Sequence, residues 1–124
     1  MTSEADRRRY QRLSTSGKPY EVQVKVHGRE LPGVRLANLS ACGCGLELQI
    51  SEVADLEAGA ILDEILIEHD DLPPVPLAGV IVRILGKVPG KTTGYVLVGV
   101  DFTVITPMVQ TLINEHVMAQ QAEV

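Results

Sequence analysis

The stretch LAGVIVRILGKVPGKTTGYVLVGVDF, residues 77–102, sets two apolar runs on either side of a loop. Leu77 to Leu85 is almost continuously apolar, as in a strand buried by the protein around it. Gly86 to Gly94 contains three glycines, a proline and two threonines, a composition that marks a connection rather than an element. Tyr95 to Phe102 then resumes in valine and leucine as a second strand. Each run reads as one strand, and the question becomes what lies on either side of them.

Upstream, Tyr20, Val22, Val24 and Val26 alternate with Glu21, Gln23 and Lys25, the period of a half-buried strand. His27-Gly28-Arg29-Glu30 predicts a turn, and Leu31 to Asn38 a returning strand, with Pro32 near its start and Gly33 permitting a bulge. Asn38 to Gly45 is dense in small and turn-forming residues. Leu46, Leu48 and Ile50 alternate with Glu47, Gln49 and Ser51 as a third strand. Residues 51–59 form a connection with room for a helical turn, Ala60 to Glu68 is a fourth strand, and Asp70-Asp71-Leu72-Pro73-Pro74 interrupts the chain before Leu77. Six strands with short connections predict an all-β, six-stranded antiparallel barrel, closed or split. Downstream, Thr106 can cap a helix whose first residue is Pro107. Val109, Leu112, Ile113, His116 and Val117 would then share the face that covers the barrel.

Residues 1–17 show no sustained period, so the reading divides the chain into a flexible N-terminal arm over 1–17 and a barrel with its C-terminal helix over 18–124. A chain of 124 residues can bury one continuous core without disulfides or a structural metal. Hydrophobic residues make up 45% and aromatics only 3%, so that core must be aliphatic. Neither a secretory leader nor a run of ~18 apolar residues occurs, which predicts a cytoplasmic protein without membrane insertion. The net charge of −5 is unevenly spread. Residues 7–25 hold six basic residues against one acidic, a local +5, while the rest hold five basic and fifteen acidic, or −10. A cationic arm on an acidic body suits a small anionic ligand better than DNA or RNA.

Two constellations carry chemistry. Arg8-Arg9-Tyr10-Gln11-Arg12 is an Arg-x-x-x-Arg preceded by Arg7, and guanidinium groups bind guanine edges or phosphates through paired hydrogen bonds and stack on bases. A solvated basic segment is the plainer reading of those residues by themselves. Asn38-Leu39-Ser40-Ala41-Cys42-Gly43 is an Asn-x-Ser-x-x-Gly at a strand end. While the backbone stays extended, Asn38 and Ser40 point outward together, and Gly43 can take a positive φ or admit a ligand to the backbone. The plainer alternative there is an Asx or Ser turn closing a hairpin.

Together these constellations resemble the PilZ family, whose signature is Arg-x-x-x-Arg on an arm followed by Asp/Asn-x-Ser-x-x-Gly a strand pair later. The likeness continues through Gly45-Leu46-Glu47-Leu48, Val82-Arg83 and Val98-Gly99-Val100-Asp101-Phe102, covering nearly the whole chain. The resemblance implies a split barrel that binds cyclic diguanylate (c-di-GMP) and catalyses nothing. By it, Arg8 and Arg12 hold guanine and phosphate groups, Asn38 and Ser40 contact the ligand from the barrel, and Gly43 keeps the turn open. An arginine at Arg7 is associated in this family with an intercalated ligand dimer, implying two c-di-GMP molecules per chain. Ligand-induced ordering of the arm would signal to a downstream protein in motility, exopolysaccharide synthesis or adhesion. Asn38 stands where many members have Asp, and Cys42 where glycine is frequent. A protein-interaction module of the same fold without nucleotide binding is the alternative.

No Gly-x-Ser-x-Gly, Walker-type loop or His-Glu-x-x-His occurs, which predicts no enzyme. Cys42 and Cys44 offer a Cys-x-Cys with nothing adjacent in sequence to complete a metal site. His27 and His69 look like loop residues and His116 a packed one. The expectation is therefore no metal and no cofactor apart from the nucleotide ligand.

Overall fold

The computed structural model describes residues 10–87 and 90–122. Within them the strands are β1 (Leu13–Ser14), β2 (Glu21–Val26), β3 (Arg29–Glu30), β4 (Arg35–Leu39), β5 (Gly43–Gln49), β6 (Ile61–Glu68), β7 (Leu77–Leu85) and β8 (Tyr95–Val104). A 3-10 turn spans Ile50–Glu52, and one helix, α1 (Pro107–Ala122), follows the last strand. Every pairing is antiparallel, in the order β1-β4-β5-β8-β7-β6-β2-β3. The ladder does not close on itself. β2 and β4 approach without pairing and leave a groove of about 570 Å³, lined by Lys18, Glu21, Gln23, Arg35 and Glu47 among others.

The six expected strands are all present, and two further strands of two residues each extend the sheet. β3 occupies half of the expected turn. His27 and Gly28, at φ 52° and 76°, turn the chain in two residues, so Arg29 and Glu30 pair straight back onto Val26 and Lys25. β4 starts later than expected, because Pro32 and Gly33 form a turn after β3. β1 lies inside the stretch read as an arm. Leu13 and Ser14 pair with Leu39 and Asn38, and Thr15 is 1% exposed. Leu13 has apolar surface to bury, and Thr15 finds backbone partners in β4. These two local reasons tie residues 13–15 to the sheet.

The core is aliphatic, as the composition requires: Val24, Leu39, Leu46, Leu48, Leu62, Ile65, Ile81, Val96, Val98 and Val100 are fully buried. Each such side chain contributes ~1.5–3 kcal/mol by leaving water. β7 is buried mainly along one face through Leu77, Gly79 and Ile81, while Arg83 and Leu85 emerge into solvent. Its near-continuous apolar run therefore overstates its burial, since only its inner face meets the core. In α1, the Thr106 hydroxyl accepts a hydrogen bond from Val109 N at 3.3 Å, the cap expected from Thr106-Pro107. Val109, Ile113, His116 and Val117 are buried, whereas Leu112 lies at the edge of that face, 39% exposed. No helix among the described residues is long and apolar enough to cross a membrane.

Candidate functional site

Strand register brings the two constellations together. β1 pairs Ser14 with Asn38 across the ladder, so Arg12, two residues before Ser14, shares a face with Asn38 on the diagonal. The Arg12 Nη1 donates to Asn38 Oδ1 at 3.0 Å. The backbone is held as well: Gln121 of α1 donates to the Arg12 carbonyl at 3.1 Å. Thr15 continues the anchoring, its N–H bonded to the Ala37 carbonyl (3.0 Å) and its hydroxyl to the Leu36 carbonyl (2.7 Å). Those carbonyls flank a register shift between Leu36 and Asn38, where a bulge turns backbone acceptors toward the arm.

Asn38 owes its placement to Gly45, its partner in the β4–β5 ladder. A Cβ at Gly45 would fall on the Asn38 carboxamide, so the glycine makes the space in which that amide lies. The Arg12 guanidinium is exposed and has five N–H donors, enough to grip Asn38 and still present a fork to a ligand. Arg7 and Arg8 lie outside the described residues.

Ser40 is placed differently from its sequence reading. β4 ends at Leu39, alternation ends with it, and Ser40 is 1% exposed. Its hydroxyl accepts from Cys42 N (3.3 Å) and reaches the Gly43 carbonyl (3.3 Å), while its own N–H bonds the same carbonyl at 2.9 Å. The hydroxyl thus builds the turn from within. Gly43 does not have a positive φ. A Cβ there would collide with the Val100 carbonyl oxygen, so its glycine serves the close approach of β5 to β8. Gln110 of α1 donates to the Ala41 carbonyl at 3.2 Å and clamps the turn against the helix.

Cys42 and Cys44 are both buried. Burial pushes the Cys44 thiol up to about 12, with the Arg12 charge pulling weakly the other way, so it stays protonated at neutral pH. That leaves a small core side chain, not a thiolate.

Thr15, Gln110 and Gln121 shape the site without having been singled out by sequence, and Gly45 was named there only for its likeness to the family, with no role at the site. Gly45 becomes legible only once its partner across the ladder is known, and the glutamines lie on a helix whose contacts no local pattern announces.

The profile of the PilZ domain family matches residues 6–119. A search of curated proteins found no match. Among solved structures, the chain is similar to the PilZ domain with c-di-GMP of YcgR from Escherichia coli, at 24% identity and TM-score 0.71, covering 94% of this chain and 93% of that one. It is also similar to the Bacillus subtilis inhibitor of motility MotI/DgrA (17%, TM-score 0.66, 92% of this chain and 51% of that one). The MrkH–c-di-GMP complex of K. pneumonia gives 13%, TM-score 0.70, and 93% and 52%. The chain thus spans about half the length of those last two proteins. With a split antiparallel barrel, a covering helix and a family match running from the arginine arm into α1, this chain belongs to the PilZ domain family.

Proposed function

We propose that this domain is a receptor for c-di-GMP that acts by binding and not by catalysis. One observation carries the reading: Arg12 of the first motif and Asn38 of the second, 26 positions apart, are hydrogen-bonded on one face of the sheet. Arg8 and Arg12 take guanine and phosphate groups, Asn38 presents its amide beside them, and Ser40 and Gly43 hold the turn on which Asn38 depends. The similarity to c-di-GMP-bound PilZ domains supports this assignment.

Micromolar or tighter affinity corresponds to about −8 kcal/mol. Bidentate arginine contacts of ~1–3 kcal/mol each, with base stacking, can supply that after the cost of ordering the chain. Arg7 adds a cation and a stacking plane for a second ligand molecule. The arm, ordered by the ligand against the barrel, presents a new surface to a downstream cytoplasmic protein, and regulation of motility or exopolysaccharide synthesis is the output.

Calorimetry with c-di-GMP, and GTP as control, tests ligand, selectivity and stoichiometry together. The expected result is micromolar or tighter c-di-GMP binding at two molecules per chain, falling to one in Arg7→Leu, and no comparable heat with GTP. Absence of c-di-GMP binding overturns the assignment and leaves the protein-interaction reading. Saturation at one molecule in both proteins removes the role given to Arg7.

A further inference from the structure

We propose that His69, Asp71 and His116 form a binding site for a divalent transition-metal ion of the zinc class, separate from the nucleotide site. In sequence the histidines are 47 positions apart and look unrelated. In the fold, His69 directly follows β6, Asp71 sits in the turn leading toward β7, and His116 projects from the third turn of α1. One ligand atom from each of the three lies within 4.8 Å of the others.

The two imidazole rings meet edge to face, with centroids 4.8 Å apart. Tyr20 stacks on His69 at 4.4 Å, and its hydroxyl is hydrogen-bonded to His116 Nε2 at 2.5 Å. Asp71 N donates to His69 Nδ1 at 3.1 Å. The rings are packed together before any ion arrives, and the Asp71 N–H occupies the Nδ1 lone pair of His69, so an ion taken by that nitrogen displaces this hydrogen bond.

The donor set selects the ion. Two imidazole nitrogens and one carboxylate oxygen match zinc and its neighbours, whereas magnesium and calcium take oxygen ligands. Donors at about 2.0–2.2 Å from a tetrahedral ion lie roughly 3.4 Å apart, so binding needs a contraction of at most about 1.4 Å between any two of them. Asp71 is exposed in its turn and His69 is only half-buried, so both have freedom to close on His116, which is 6% exposed and held by its helix. Beside them opens a groove of about 500 Å³ lined by Tyr20, Glu21, Glu68, His69 and Asp70. It leaves room for a water as fourth ligand, and its three carboxylates favour a cation.

An ion there would tie α1 to the β6–β7 connection. The same helix holds the Arg12 and Ala41 carbonyls through Gln121 and Gln110, so the metal would steady the helix that supports the nucleotide site.

Chelator-stripped full chain titrated with Zn²⁺ should bind one ion per chain and unfold at a higher temperature, with no such shift from Mg²⁺. Bound Co²⁺ should give the visible spectrum of a tetrahedral nitrogen–oxygen site, without the near-ultraviolet thiolate band that Cys42 or Cys44 would produce. His69→Gln and Asp71→Asn, chosen because neither residue is fully buried, should each weaken Zn²⁺ binding at least about tenfold. Circular dichroism checks that both variants fold. No Zn²⁺ binding, a thiolate band, or unchanged affinity in both variants overturns the site.

Discussion

Asn38 and Gly45 face each other across the β4–β5 ladder, and the carboxamide of Asn38 occupies the space that any Cβ on Gly45 would take. That single missing methyl group separates a side chain lying beside Arg12 from one pushed off it. Gly43, two residues earlier, is glycine for a different reason, because its Cβ would meet the Val100 carbonyl of the neighbouring strand.

The two glycines therefore predict different defects. Gly45→Ala displaces the end of one polar side chain, so thermal stability should change little while c-di-GMP affinity falls at least about tenfold, the loss of one good contact. Gly43→Ala presses on backbone in a packed ladder and should destabilise the fold by ~1–3 kcal/mol or more. Calorimetry and denaturant titration on both variants make the comparison, and a Gly45→Ala protein binding as wild type would remove Asn38 from the site.

Arg8→Ala and Arg12→Ala should each weaken c-di-GMP binding at least about tenfold. Arg12 is exposed, so its removal should leave the thermal midpoint nearly unchanged. The Gln121 contact is to the Arg12 backbone and survives the substitution. Equal affinity in wild type and the double variant would sink the assignment of the arginines.

Amide exchange distinguishes an arm that is switched from one that is permanently docked. The Thr15 amide is bonded to Ala37, so exchange there should be slow with or without ligand. Residues 5–12 should gain protection when c-di-GMP is added, because phosphates neutralise clustered arginines that have little apolar surface to bury on their own. Protection over 5–12 that is the same before and after saturation rejects the switch.

The Cys44 thiol couples stability to alkaline pH. Its pKa rises from 9.0 to about 12 on burial, so between those values the folded chain holds a proton that the unfolded chain has released. Stability from this group is therefore complete below pH 9.0 and declines as pH rises toward about 12, by up to ~1.4 kcal/mol per pH unit. Urea midpoints of wild type and Cys44→Ala, measured from pH 7 to 10.5, should converge as pH rises. Parallel curves would mean that the thiol is not shielded.

Much of the fold was legible in the sequence by itself. Apolar alternation, apolar runs and the turn residues between them located all six principal strands, Leu77–Leu85 to the residue, and Thr106-Pro107 marked the start of α1. These features depend on neighbours a few positions away, where strand period, helix period and capping act. The paired motifs also identified the family, whose profile spans residues 6–119. Tertiary structure alone decided which strands lie side by side, and with that everything that depends on register. Arg12 reaches Asn38 because Ser14 pairs with Asn38, and Gly45 matters because it is opposite that same residue. Ser40 turned inward because the strand stopped one residue earlier, and His69 met His116 because α1 folds back over the end of β6. Periodicity assigns a side chain to a face, but it cannot name the strand or helix that will cover that face. The choice is made by how the whole set of apolar surfaces packs at once.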